Sequence, residues 1–180
     1  GLPKGSMTLI DLDRAAELYG RMGPAIEMSG GAAANSMVGV ASFGSRAAYI
    51  GKVRDDELGA IFAHDIRAAG VRFDVPAAPD GPETARSHIL VTPDAHRTMS
   101  TYLGAAVELG PEDVDTDLIA SSSILYLEGY LWDKPRAKES FRVAMKMIDT
   151  AATTAMAPST SSDRFSGGID ALPGVDGRHR

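Results

Sequence analysis

Residues 29–59 read SGGAAANSMVGVASFGSRAAYIGKVRDDELG, and their reading decides the fold. Gly30 and Gly31 open the stretch, and Asn35 follows Gly31 by four residues. A small-residue helix pattern comes next (Met37, Val38, Val40, Ala41), which Gly44 should stop. An apolar strand, Ala47 to Val53, leads into Arg54-Asp55-Asp56-Glu57 and then Gly59. Two adjacent glycines can take positive φ and let a ligand approach the backbone closely. The helix that starts after them aims its free N–H groups at the same place. Asn35, one turn in, offers a donor and an acceptor on that face. Two readings fit: a cradle for a polyhydroxylated ligand, or a tight strand-to-helix turn whose Asn is bonded to nearby backbone.

Working outward, the alternation of elements predicts the fold class. Towards the N-terminus, Thr8 to Ile10 reads as a short strand and Asp11 as the N-cap of a helix. Leu12, Ala15, Ala16 and Tyr19 form its apolar face until Gly23-Pro24, and Ala25 to Met28 reads as a second strand entering the glycine turn. Towards the C-terminus, Asp55 or Asp56 caps a helix with Leu58, Ile61, Phe62, Ile66 and Ala69 at helical spacing. Gly70 ends it, and Val71 to Val75 returns as a strand. Strands alternating with helices predict an α/β fold with a mostly parallel sheet flanked by helices. Thr84 to Val91 and Arg97 to Tyr102 read as a hairpin around a Pro-Asp turn, with His88 and His96 at or near it as surface or hydrogen-bonded residues. Pro111 to Val114 starts a helical turn, Ile124 to Leu127 is a buried strand, and Pro135 begins a long helix striped with Ala137, Phe141, Ala144, Met145 and Ile148.

Composition narrows the function classes. The 180 residues carry a formal net charge of −6, which argues against a general nucleic-acid binder that needs a basic face. There is no cysteine, so no disulfide framework or thiolate metal site is available. The four histidines show no ligand spacing, and no apolar run is long enough to span a bilayer. A cytoplasmic location is the default expectation. From about Thr150 the chain turns rich in Ser, Thr, Gly and Pro and loses its period, which predicts a domain over 1–149 and a disordered, unpacked tail over 150–180.

Taken together, Gly30-Gly31, Asn35, Gly44, the run Ile50 to Val53, Asp56 and Gly59 resemble the N-terminal signature of the PfkB carbohydrate kinases. Arg97 to Ala106 and Tyr126-Leu127-Glu128-Gly129-Tyr130 resemble the adenosine kinase-like branch of that family, and the resemblance runs to about Ile148. It implies a ribokinase-like sheet with a small β lid over about 84–102, incomplete at both ends, because the family's first strand with its sugar-binding Asp should precede Gly1. It also implies ATP- and Mg²⁺-dependent phosphoryl transfer to a hydroxymethyl group of a sugar or nucleoside. By resemblance, Gly30, Gly31 and Asn35 contact ribose-type hydroxyls and Glu128 lines the same pocket. Asp56 matches a family position, although helix capping accounts for it without a ligand. The lid of this family can serve as a homodimer contact.

No catalytic residue is identified. The family's base is the Asp of a Gly-Ala-Gly-Asp run, and this sequence has none. Gly167-Gly168-Ile169-Asp170 is the nearest imitation, and no helix pattern follows it. The leading expectation is therefore part of a sugar or nucleoside kinase, inactive alone and binding ATP and Mg²⁺ poorly. The competing class is a non-catalytic ribose- or nucleoside-binding module. A Rossmann dinucleotide enzyme is disfavoured, since no G-x-G-x-x-G lies between a strand and a helix.

Overall fold

The computed structural model describes residues 3–131 and 134–147, and the backbone of 153–157. The chain runs β1 (Met7–Leu9), α1 (Leu12–Arg21), α2 (Ala32–Ser42), β2 (Ala47–Ala48), α3 (Glu57–Ala68), β3 (Val71–Arg72), β4 (Arg86–Val91) and β5 (Arg97–Tyr102). Two short 3₁₀ turns, Gly104–Glu108 and Pro111–Asp113, lead to α4 (Thr116–Ala120) and β6 (Ile124–Glu128). A third turn, Gly129–Leu131, precedes α5 (Pro135–Met147) and β7 (Thr153–Ala157).

The strands form three groups. β2 and β3 pair in parallel, β6 and β7 pair in parallel, and β1-β5-β4 form a three-stranded mixed sheet. In that sheet β5 runs parallel to β1 and antiparallel to β4, whose hairpin is the predicted lid. Helix α2 packs against β2, β3 and β6, so it spans the two parallel pairs.

Local chemistry sets the helix boundaries. Asp11 caps α1 by accepting from the Arg14 N–H at 2.8 Å, and Asp56 caps α3 by accepting from Gly59. Gly44 and Gly70, at φ 81° and 83°, take the left-handed turn that ends α2 and α3. Pro135 opens α5, where its missing N–H costs nothing.

Among the described residues, two apolar clusters form the core. In the first, Ala34, Val53, Ile66, Val71, Phe73 and Val75 are buried between α2, α3 and the β2–β3 pair. Phe73 is 1% exposed, and its ring meets Phe62 edge-on at 5.5 Å and Tyr49 at 5.8 Å. Burial of a side chain of this size stabilises by roughly 1.5–3 kcal/mol, and the aromatic geometry adds about 0.5–1.5 kcal/mol. The second cluster joins Ile119, Leu127, Ala137, Phe141 and Ala144 from α4, β6 and α5. Ile50 packs against both clusters. The buried ion pair of Lys52 with Asp113 is a second tie, joining the run after β2 to the turn before α4.

Three expectations change. Ala25 to Met28 is not a strand: Ile26 and Met28 are exposed, and neither is in a backbone ladder. The strands predicted over 47–53 and 71–75 are regular only at Ala47–Ala48 and Val71–Arg72. The tail predicted to be unpacked from Thr150 includes a strand, since Thr153–Ala157 pairs with β6 in the register Ile124↔Thr153 to Glu128↔Ala157. The physical reason is the neighbour: β6 presents a free ladder, α5 provides the crossover that a parallel pair needs, and Thr153 and Thr154 are β-branched. Residues 158–180 lie outside the described residues, as does Ile148 of the predicted α5 stripe.

Candidate acceptor site at the start of helix α2

The N-cap of α2 is Gly31, at φ 115° and ψ 134°, and it has no side chain with which to cap the helix. That φ is open to glycine and strained for other residues. Gly30 has no atom within 4 Å of where a Cβ would stand, so its backbone is open to approach from outside. Asn35 is exposed on the first turn, and its amide has no hydrogen-bond partner among the described residues. Ser29, just before the glycines, donates to Asp65 of α3 at 2.7 Å and fixes the entry to the turn. That hydroxyl, together with His64, holds the Asp65 carboxyl below the usual carboxylate range.

Glu128 reaches this place from the end of β6, 95 residues further along the chain. Its Oε2 accepts from the Ala33 N–H at 3.1 Å, so α2 obtains from β6 the cap that Gly31 lacks. Partial burial pushes the Glu128 carboxyl up, and the Ala33 N–H opposes that shift. Tyr49 lies on the other flank, its hydroxyl pushed up to about 12, first by burial and then by the Glu128 charge. The hydroxyl end of the Tyr49 ring lies against Gly51, where a Cβ would stand 2.5–2.6 Å from its Cε1, Cζ and Oη. The structure therefore brings Gly30, Gly31 and Glu128 to one end of α2, with Asn35 one turn along.

Asp56 is elsewhere and does another task. It accepts from the Gly59 N–H, the Thr84 N–H and the Thr84 hydroxyl, at 2.8, 2.8 and 2.6 Å, which locks α3 to the segment just before β4. Burial works against its charge, but Thr84, Gly59 and Arg54 outweigh it and leave the carboxyl below its ordinary value. His96 is exposed beside Asp94 at 3.2 Å, whereas His88 is buried and hydrogen-bonded to the Ala15 backbone, the second of its two expected roles.

Sequence reading missed Tyr49 and the Ser29–Asp65 tie. Tyr49 stood next to the Ile50-Gly51 run, but only the fold turns its ring against Gly51. A shallow surface depression lined by Tyr49, Ile50, Asp74, Val75, Asp113 and Leu118 among others includes none of Gly30, Gly31, Asn35 or Glu128. The start of α2 is thus an open shelf. An exposed N–H-rich helix start beside a half-buried carboxylate can exchange hydrogen bonds with vicinal hydroxyls, which donate and accept in pairs.

Comparisons with known proteins bear on this shelf. The profile described as "pfkB family carbohydrate kinase" matches residues 5–176, which reaches beyond the Ile148 limit read from the sequence. Adenosine kinase from Sinorhizobium meliloti is 58% identical, with a TM-score of 0.82 over 87% of this chain and 48% of that one. A probable sugar kinase from Rhizobium etli CFN 42 is 52% identical, with a TM-score of 0.79 over 86% and 47%. Probable fructokinase-7 of Arabidopsis thaliana is 30% identical over 69% of this chain and 37% of its own length. The chain thus spans less than half the length of each of these relatives.

Proposed function

Because the chain belongs to the pfkB family of carbohydrate kinases, we propose that it carries the acceptor-binding part of a kinase for sugar or nucleoside hydroxymethyl groups. The observation that supports this reading most is the start of α2: a glycine cap at positive φ, an open Gly30, and an Asn35 side-chain amide with no hydrogen-bond partner among the described residues. Gly30 and Gly31 let the sugar ring lie against backbone, Asn35 takes one or two hydroxyls, and Glu128 faces the same ligand with the oxygen not used by Ala33. An analogue that lacks a matched hydroxyl leaves polar groups unpaired, at about 1–3 kcal/mol each.

ATP and Mg²⁺ serve the phosphoryl transfer of this family's complete enzymes. The sequence lacks the Gly-Ala-Gly-Asp run whose Asp the resemblance implies as the base. We therefore assign this chain acceptor binding and not transfer. The lid sheet is our candidate for a homodimer contact. Met7, Met99 and Ile89 stand in register across its three strands, and Met7 and Ile89 are exposed. No helix among the described residues is long and apolar enough to cross a membrane.

Calorimetric titration of the purified chain with adenosine, ribose and fructose tests the reading. Saturable binding of at least one, weakened about 5- to 150-fold by Asn35→Ala, is expected for a loss of about 1–3 kcal/mol. Binding that Asn35→Ala leaves unchanged, in a variant that melts like the parent, would return Asn35 to a turn residue. ATP-dependent phosphorylation above background would overturn the assignment of binding without transfer.

A further inference from the structure

His88 has no part in the acceptor reading, yet it is one of the few buried polar residues among those described. It lies on β4 directly opposite Ser100 of β5, so the two side chains share one face of the lid sheet. Helix α1 covers that face. Ala15 is fully buried there, and the Tyr19 ring stands over the imidazole with centroids 6.0 Å apart. His88 is 9% exposed and Ser100 is 1% exposed, and neither His88 Nε2 nor Ser100 Oγ has a hydrogen-bond partner. Two facing polar atoms are thus sealed in the same interface without acceptors.

We propose that His88 is a proton-sensitive latch: neutral, it lets α1 dock on the lid sheet, and protonated, it releases α1. A neutral imidazole leaves one ring nitrogen unpaired at modest cost, whereas an imidazolium there would be a buried charge without a counter-ion. The groups that bear on the ring are Arg86 on β4 itself, Tyr19 from α1 and Ser100 from β5. Arg86 is a cation, paired with Glu83, and Tyr19 donates its hydroxyl to Glu27. Strand β1 brings only Met7, Thr8 and Leu9. Burial, and then Arg86, hold His88 below the ordinary histidine value, against an opposing pull from the Ala15 backbone. The sign follows. The unfolded or undocked chain takes up the proton first, so docking is complete above the ordinary value of about 6.5 and weakens as pH falls through it.

Hydrogen exchange of the purified chain at pH 7.5 and pH 5.5, corrected for the intrinsic rate, tests this. Protection in 12–21 and 86–102 should fall about three- to tenfold at the lower pH, as expected for one proton taken up over a unit of pH, with α3 as the internal control. His88→Gln should abolish that pH dependence. Should His88→Gln lose the docked state outright, imidazole titration by NMR decides in the parent chain. A His88 midpoint below those of the exposed His64 and His96 supports the latch, and one at or above them overturns it. Unchanged protection at pH 5.5, or the same loss in His88→Gln, also overturns it.

Discussion

Helices α2 and α3 follow one another in the chain and are capped in opposite ways. Helix α3 has a local cap, Asp56, whose carboxylate takes three hydrogen bonds and whose pKa is depressed as a result. Helix α2 starts on a glycine, and its cap is a distant carboxylate whose pKa is raised. The first carboxylate holds its helix in place and is better off charged. The second is half-buried at an otherwise open helix start, and its charge is a burden there. The start of α2 is thus left without a cap from its own segment, whereas that of α3 is closed locally.

The largest test strikes the α3 side. A Cβ at Gly59 would collide with the Arg54 carbonyl oxygen, so Gly59→Ala should destabilise by about 3 kcal/mol in urea melts. A loss below about 1 kcal/mol would mean that the α3 start is looser than its contacts indicate. Next comes Asp56→Ala, which removes all three bonds and should cost about 2 kcal/mol, with Asp56→Asn in between. The Asp56 contribution is present above the ordinary carboxylate value of about 3.9 and is lost as pH falls below it towards the depressed native value, which a pH series of melts reads directly.

Glu128 sharpens the contrast. Glu128→Ala should lower stability by about 1 kcal/mol through the lost cap, whereas Glu128→Gln keeps an oxygen on Ala33 and drops the charge. With a raised native pKa, the folded chain holds this proton more tightly than the unfolded one. Glu128 therefore favours folding at acid pH and loses that contribution as pH rises through its native value. At pH 7, Glu128→Gln should leave the melting midpoint unchanged or raise it, unlike Asp56→Asn. Equal losses in the two amide variants would erase the distinction between the helices. The smallest expected effect on stability is at Asn35, exposed and unbonded. Asn35→Ala should stay within about 0.5 kcal/mol of the parent while acceptor binding falls.

The same contrast explains what could be read from the sequence. Asp56 was legible as a cap because its first partner, Gly59, is three residues away. Glu128 was placed near the glycines only through resemblance, because its partner lies across the fold. Gly30, Gly31 and Asn35 were legible as a group since glycine pairs and helical spacing are local signals. Residues 25–28 misled because Ile26 and Met28 alternate as a strand would, while a strand also requires a neighbour. β7 was hidden for the converse reason: its Thr-Ala composition signals little, and the ladder of β6 supplies the order. The burial of His88 was not legible either, because β4 becomes closed on that face only when α1 docks.

Ile50 deserves a last consequence. One side chain packs into the cluster around Phe73 and into the cluster around Leu127, so neither can come apart without exposing part of the other. In thermodynamic terms it is a coupling element, one that turns two small cores into a single cooperative transition. Truncation at that position would be felt less as a lower midpoint than as a broader one, as two half-sized units begin to melt on their own schedules.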